Sequence, residues 1–247
     1  MLQGFPALSP LPVRIPQTIR RIDEDGSPAW MPPHLATSDS SGYGSPWNQF
    51  YQTKPLFGGT VAFAADEGPQ SSTRGVGCLW FGSPACGGDI DVPNAIDGLE
   101  IGIVGDGAFR GNGNIRSVTV GNAAIGRQAF QSCSNLVSVS VNGNPSFGAF
   151  HDCPRLESVF IGDSVTEIGP YAFADCPNLT TVSFAKALSG ETQSLRFENK
   201  AFRNCIAMRE FEFPERTETL GTALFEGCSA LEEIKIPATF STLSLPD

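Results

Sequence analysis

Between Ala108 and Ile236 one pattern recurs six times: Ala-Phe-x-x-Cys-x-x-Leu-x-x-Val-x-Ile, with small substitutions. Its phenylalanines are Phe109, Phe130, Phe150, Phe173, Phe202 and Phe225, spaced 21, 20, 23, 29 and 23 residues apart. The fourth copy is the fullest, with Ile168-Gly169, Ala172-Phe173, Cys176, Leu179, Val182 and Phe184. A unit this short cannot cover its own apolar residues, so successive units must stack and share one core. That requirement predicts a solenoid and sets limits on function. Such a fold offers a long binding surface, and the repeated residues themselves carry no chemistry.

Each unit divides into two patterns. Ala172, Phe173, Cys176 and Leu179 fall at helical-turn spacing, which predicts one face of a short helix or 3₁₀ segment. Leu179 to Phe184 then alternates, predicting a short strand with Val182 and Phe184 inward. The expected fold class is therefore an α/β solenoid, with a short parallel strand and a short helical or 3₁₀ turn per repeat. Gly105, Gly126, Gly169 and Gly221 follow an inward apolar residue where the chain must turn tightly. In copies three and five Pro145-Ser146 and Phe197-Glu198 replace the Ile-Gly pair, so those corners are expected to differ. The 29-residue interval holds the polar stretch Ala185 to Ser194, which reads as a loop.

These repeats resemble the BspA-type leucine-rich repeat family, whose units read Ile-Gly-x-x-Ala-Phe-x-x-Cys-x-x-Leu-x-x-Val-x-Ile-Pro. The resemblance runs from about Gly88 to Leu243, and Gly88-Asp-Ile90-Asp-Val92-Pro93 resembles the lead-in before a first unit. Asn112 stands where the first unit should have its cysteine. Ile236-Pro237-x-x-Phe240-x-x-Leu243 looks like the start of a seventh unit, and Val13 to Ile22 like a half-unit at the other end. Both lead to the expectation that the array belongs to a longer protein. What the resemblance implies is a leucine-rich-repeat protein that is not an enzyme and mediates protein–protein interaction or adhesion, secreted or on a bacterial cell surface. An intracellular (cytoplasmic) interaction scaffold is the alternative reading. The targeting arm of a larger enzyme, with its catalytic domain elsewhere, is a second one.

Residues 1–87 differ in kind and are read as an irregular capping region in front of a solenoid at 88–247. All three tryptophans (Trp30, Trp47, Trp80) lie there, with ten of the nineteen prolines in the first 70 residues. Residues 36–48 are Ser/Gly/Asp-rich and read as a flexible linker. Gly59–Ala65 and Val76–Phe81 have strand character. A module with an aromatic site at Trp30, Trp47 and Tyr51 is the competing reading of this region.

Charge narrows the partners. The formal net charge is −10, and lysine occurs only at 54, 186, 200 and 235. Nucleic-acid binding needs a dense Lys/Arg footprint, so it is excluded as a reading, as is an anionic membrane surface. No apolar run approaches the ~18 residues of a spanning helix. Met1 to Arg21 is broken by four prolines and does not read as a signal peptide.

No catalytic, cofactor-binding or metal site is expected. Cys133, Cys153, Cys176, Cys205 and Cys228 share one repeat position. Their spacing matches no zinc pattern, and a column of buried free thiols is favoured over disulfides. Cys78 and Cys86 have seven residues between them and are read as a possible staple if the protein is exported. His151 occupies a repeat position held elsewhere by Arg110, Gln131, Ala174, Arg203 and Glu226, and reads as a solvent position. The glycines near 105–113 lack the Lys-Ser/Thr of a phosphate loop.

Partner-binding residues are instead sought where side chains alternate with the core on each strand, facing the concave surface. One column runs Ser117, Ser138, Ser158, Thr181, Glu210, Glu233. The other runs Thr119, Ser140, Phe160, Ser183, Glu212, Lys235. Phe160 is the one large apolar group where solvent is expected. With it, Thr181, Ser183, Glu210, Glu212, Glu233 and Lys235 form the candidate surface, its acidic part suited to protein partners with basic surfaces.

Overall fold

The computed structural model describes residues 52–56, 59–65, 77–82, 85–96, 99–186 and 193–238, the first three stretches as backbone. In chain order the strands are β1 (Gln52–Leu56), β2 (Gly59–Ala65), β3 (Gly77–Gly82), β4 (Gly88–Val92), β5 (Ala95–Ile96), β6 (Leu99–Val104), β7 (Ile115–Val120) and β8 (Ala124–Ile125). They continue with β9 (Ser138–Val141), β10 (Ser158–Ile161), β11 (Glu167–Ile168), β12 (Thr181–Phe184), β13 (Leu195–Phe197), β14 (Glu210–Glu212), β15 (Thr217–Leu220) and β16 (Glu233–Lys235). The described residues from Thr53 onward form one compact unit.

Two stacks of parallel strands define the coil. The long stack runs β4-β7-β9-β10-β12, and β14-β16 form a separate parallel pair. Its register is the repeat itself: Val118, Val139, Val159 and Val182 pair in sequence, as do Val120, Val141, Ile161 and Phe184. Because side chains alternate, an unbroken register keeps every such residue on the core side. The second stack comes from the Ile-Gly corners. Ile103 and Val104 pair with Ala124 and Ile125, Ile125 bridges Pro145, and β11-β13-β15 align Ile168, Phe197 and Leu220. The divergent corners at Pro145 and Phe197 thus hold the same places in the stack as the regular ones. Strands were expected at 59–65 and 76–81, and β2 and β3 are found there. They pair antiparallel, and β3 runs parallel to β6, extending this second stack. Trp30, Trp47, Tyr51 and the 36–48 segment lie outside the described residues.

The third side of each coil departs from expectation. The described residues contain no helix, so the α/β class and its helical or 3₁₀ turns are corrected to an all-strand-and-turn solenoid. Hydrogen bonding gives the reason. Around each Ala-Phe pair alternate amides bond within the coil and across to the next one. Ala129 and Gln131 donate back to Gly126 and Gln128, while Gln128, Phe130 and Ser132 donate to Phe147, Ala149 and His151. A helix would keep all these donors for itself. The backbone also turns left-handed two residues before and two after each phenylalanine, as at Gln128 (φ 56°) and Ser132 (φ 56°), or Tyr171 (φ 56°) and Asp175 (φ 57°). That conformation ends any right-handed turn.

The corner glycines serve close approach. At Gly169 an added Cβ would lie 2.8 Å from the Pro145 carbonyl oxygen, and at Gly221 it would run into the backbone of Glu198 and Asn199. Neither has the positive φ that a glycine-only turn would show.

The core is a column of parallel rings. Phe109, Phe130, Phe150, Phe173 and Phe202 are buried, with successive centroids 5.0, 5.2, 5.3 and 5.7 Å apart and interplanar angles of 7° or less. Phe225 ends the stack at 5.9 Å. After the long interval Phe197 and Phe211 tilt against Phe202, Phe211 and Phe213 meet Phe225 edge-on, and Phe184 packs edge-on against Phe197 and Phe211.

Candidate interaction surface

The five repeat cysteines have a structural use that the spacing did not show. Each thiol donates to the phenylalanine carbonyl of the preceding coil: Cys133 to Phe109, Cys153 to Phe130, Cys176 to Phe150 and Cys205 to Phe173, all at 3.3 Å, and Cys228 to Phe202 at 3.1 Å. These thiols are free, as expected; four are buried and Cys228 is half-buried. Burial, reinforced by the neighbouring thiol, pushes Cys133 and Cys176 well above the usual thiol range. They are therefore neutral donors. Asn112, where the first copy lacks cysteine, does the same work. Its Nδ2 donates to the Cys86 carbonyl at 2.9 Å, while its Oδ1 accepts from the amides of Asn114 and Ile115. Cys86 is buried, and the Cys78 side chain lies outside the described residues.

His151 is drawn further in than a simple solvent position. Gln131 Nε2 lies 3.0 Å from its Nδ1, and its Nε2 lies 2.8 Å from Asp175 Oδ2, while Asn204 Nδ2 donates to Asp175 Oδ1. The imidazole is one rung of a polar ladder linking four coils. The glutamine amide as donor assigns the ring proton to Nε2.

The outward side of the long stack carries the expected columns in exact strand register. Ser117, Ser138, Ser158 and Thr181 are paired neighbours, as are Thr119, Ser140, Phe160 and Ser183. Phe160 is 43% exposed, flanked by two serines, with nothing apolar beside it in its column. Beyond β12 the hydrogen-bonded sheet stops, and Glu210 and Glu212 pair with Glu233 and Lys235 in the separate β14-β16 pair. Lys235 Nζ lies 3.6 Å from Glu210 and 3.9 Å from Glu233, so one cation is shared between two well-exposed carboxylates. The seven candidate residues therefore fall into two groups: Phe160, Thr181 and Ser183 on β10 and β12, and the four charged residues on β14 and β16.

The structure adds residues at the other end of the face. β4 pairs with β7 so that Asp89 and Asp91 extend the two columns past Ser117 and Thr119. Asp89 Oδ1 accepts from the Ser117 hydroxyl at 2.7 Å. The face thus has carboxylates at both ends and an uncharged middle centred near Phe160. The alternation Asp89-Ile90-Asp91-Val92 was the signal that would have found them.

Arg216 bridges the two sides of the long interval. Its guanidinium donates to the carbonyls of Gly162 at 2.8 Å and Gln193 at 3.3 Å, and also to that of Val165. One side chain so ties the edge of the long interval to coils before it. Burial lowers its proton affinity, and nearby Asp163 opposes that shift. A second exposed aromatic, Phe147, lies at the Ala-Phe turns against half-buried Tyr171, with Arg127 over the Phe147 ring at 5.3 Å. Among the described residues no His, Cys, Asp and Glu side chains cluster as metal ligands, and no helix is long and apolar enough to cross a membrane.

The repeat register matches a known family. The BspA type leucine rich repeat region matches in six copies over residues 102–195 and 185–245, more than half of the chain. The chain belongs to this leucine-rich-repeat family. Its fold is also found in solved bacterial proteins of the same architecture. A T. pallidum leucine-rich-repeat protein aligns at TM-score 0.55 and 22% identity, covering 76% of this chain and 84% of that one. A leucine-rich-repeat protein of Eubacterium ventriosum gives 0.54 and 18%, covering 80% and 54%. The pneumococcal vaccine antigen PcpA gives 0.52 and 16%, covering 76% and 50%. At these identities the likeness concerns the fold alone, and the chain spans about half the length of the latter two. No curated protein sequence matches it. Leucine-rich-repeat proteins of this family are typically non-catalytic, and their fold is generally used to bind other proteins.

Proposed function

We propose that this leucine-rich-repeat protein recognises a protein partner through the outward side of β4, β7, β9, β10, β12, β14 and β16, in an adhesive role at a bacterial cell surface. Phe160 carries the reading. This half-exposed aromatic ring has only serines beside it in its column, and buried aromatics are common anchors of protein interfaces. Asp89 and Asp91 at one end, with Glu210, Glu212 and Glu233 at the other, favour a partner with basic residues on either side of an apolar contact. Surface location follows the family and draws on no feature of these residues.

The test is quantitative capture of partner by wild type, Phe160→Ala and a Glu210→Ala/Glu212→Ala variant, with Phe147→Ala as the control on another side. A central anchor contributes about 2 kcal/mol or more, so Phe160→Ala should weaken Kd roughly thirtyfold. The acidic variant should act mainly at low salt. Capture undiminished by Phe160→Ala, or lost equally with Phe147→Ala, would rule out this face.

A further inference from the structure

We propose that one partner of the sheet face is a second copy of this chain, which docks there through the side of its coil formed by the Ala-Phe turns. The inference rests on the binding face proposed above and names an occupant for it. That face has a half-exposed ring, Phe160, with carboxylates several coils away on either side. A surface that fits it needs an aromatic contact and cations at similar spacings. The turn side of this chain has both.

Successive coils present Arg127, Phe147, Tyr171 and Lys200 along that side. Arg127 Cζ lies 5.3 Å from the Phe147 ring centre, the two rings are 5.6 Å apart, and Lys200 Nζ lies 6.0 Å from the Tyr171 ring. Phe147 is 38% exposed, and neither ring belongs to the buried column. Tyr171 also holds a left-handed backbone position (φ 56°) that the first and third coils fill with Gly107 and Gly148. A bulky residue is disfavoured in that conformation, so the backbone does not account for a tyrosine there. Cations gather at both ends of the row. Arg110 and Arg127 stand beside Asp106 at one end, and Lys200 and Arg203 both pair with Glu226 at the other. Asp152 and Asp175, acids of the coils between, already accept from Ser132 and from His151 and Asn204.

Height along the stack makes the two sides match. Phe147 and Phe160 belong to one coil, that of Phe150. Lys200 and Arg203 share the coil of Phe202 with Glu210 and Glu212. Arg110 follows Phe109 in the coil next to Asp89 and Asp91 of β4. Two copies set side by side, axes parallel and without axial offset, therefore bring Phe160 to Phe147 and Tyr171. The same placement brings Glu210 and Glu212 to Lys200 and Arg203, and Asp89 and Asp91 towards Arg110. At about 4.8 Å per coil, the acid-to-ring and cation-to-ring separations agree to within one coil. One side meets a different side, so each added copy leaves one of each kind open, and association runs on to rows or rings. Copies with a net charge of −10 repel at a distance, so the contact acts at short range and needs concentrated protein.

Analytical ultracentrifugation of the chain alone, from about 10 μM to about 0.5 mM, measures the association. The wild type should gain mass beyond a dimer as concentration rises. Phe160→Ala spoils one side and Phe147→Ala/Tyr171→Ala the other, and each should weaken self-association at least about tenfold. Mixed one to one, the two variants should pair again and stop at two copies, because each supplies the side that the other lacks. A folding defect cannot produce that rescue. The proposal is overturned by a wild type that stays monomeric, by a mixture that stays monomeric, or by a Phe147→Ala/Tyr171→Ala variant that associates like the wild type. A monomeric wild type whose capture of a foreign protein still falls with Phe160→Ala overturns the self-contact alone and leaves the sheet face standing.

Discussion

Phe173→Ala tests the ring column directly. Phe173 is fully buried in the middle of the stack, 5.3 Å from Phe150 and 5.7 Å from Phe202, and nearly parallel to both. Truncating a buried phenylalanine removes its transfer free energy and leaves a cavity, together costing roughly 3–5 kcal/mol. Stacking adds about 0.5–1.5 kcal/mol per aromatic pair, and here two pairs are lost, which places the loss near the top of that range. Neighbouring rings cannot collapse into the gap, because the cross-coil hydrogen bonds Phe150 N–H to Ala172 and Phe173 N–H to Ala201 fix the coil separation. Phe225 offers the internal comparison. It has one stacked neighbour at 5.9 Å and edge-on contacts to Phe211 and Phe213, but it is only half-buried, so less surface returns to water and Phe225→Ala should cost about 2–3 kcal/mol. Equilibrium urea unfolding followed by far-UV circular dichroism measures both. Because each coil touches only its neighbours, a fall in m for Phe173→Ala would show the halves separating into independent units. Equal losses for the two variants, or a loss under about 2 kcal/mol at 173, would refute the continuous column.

Gly169→Ala should lower stability by about 1–3 kcal/mol, since its Cβ would press on the backbone of Pro145 and Ser146, which cannot yield cheaply. Gly162→Ala meets only the Asn142 side chain and should cost distinctly less; equal melting shifts would count against close approach as the reason for the corner glycines. Alkali should also destabilise the fold. Cys133 and Cys176 have native thiols raised well above the ordinary 9.0, so their contribution is fully present below pH 9 and is lost as pH rises further. The slope is at most about 1.4 kcal/mol per pH unit for each thiol. Urea midpoints from pH 7 to 10.5 should fall more steeply for wild type than for a Cys133→Ala/Cys176→Ala variant; parallel curves would mean the thiols ionise as readily folded as unfolded.

The core was legible because repetition averages out local ambiguity. A single Ala-Phe-x-x-Cys-x-x-Leu stretch fits several structures, but six copies leave only shared burial to explain Phe109 through Phe225. The turn around each phenylalanine was misread because spacings of three and four suit a helix as well as they suit a tight coil. What decides between them is where alternate amides bond, and that depends on the neighbouring coil. The left-handed positions were equally hidden, since Gln128, Tyr171, Lys200 and Ala223 carry none of the glycine signal such backbone usually leaves. The cysteine position looked like simple packing, and its thiol-to-carbonyl bond became visible only with the coils stacked. Asn112 could have hinted at it, because an amide in place of a thiol keeps a donor and would be a poor exchange for mere bulk. On the binding side, the columns of Phe160, Thr181, Ser183, Glu210, Glu212, Glu233 and Lys235 appeared on the strands expected. The sheet break between Thr181–Phe184 and Glu210–Glu212 did not, because the strand pattern itself continues unchanged across it.

The separation between fixed and variable positions bears on how recognition would operate in this fold. Core residues, corner glycines and donor thiols all serve the stacking of one coil on the next, so changing them alters stability throughout. The outward columns serve no such purpose: Ser138, Ser140 and Ser158 could exchange with many residues without touching the register. A ring at Phe160 is therefore an unforced feature, as are carboxylates gathered at the two ends and absent between them. Charges at the ends of a face act at a distance and orient an approaching partner, while a desolvated ring acts only on contact. In the proposed complex the carboxylates would govern how fast and in which direction a partner arrives, and Phe160 how long it stays. Lys235 moderates the first effect at one end only, by sharing itself between Glu210 and Glu233. The Asp89 and Asp91 end has no lysine in either column, so both ends carry the same net charge, from two carboxylates at one and from three carboxylates with Lys235 at the other.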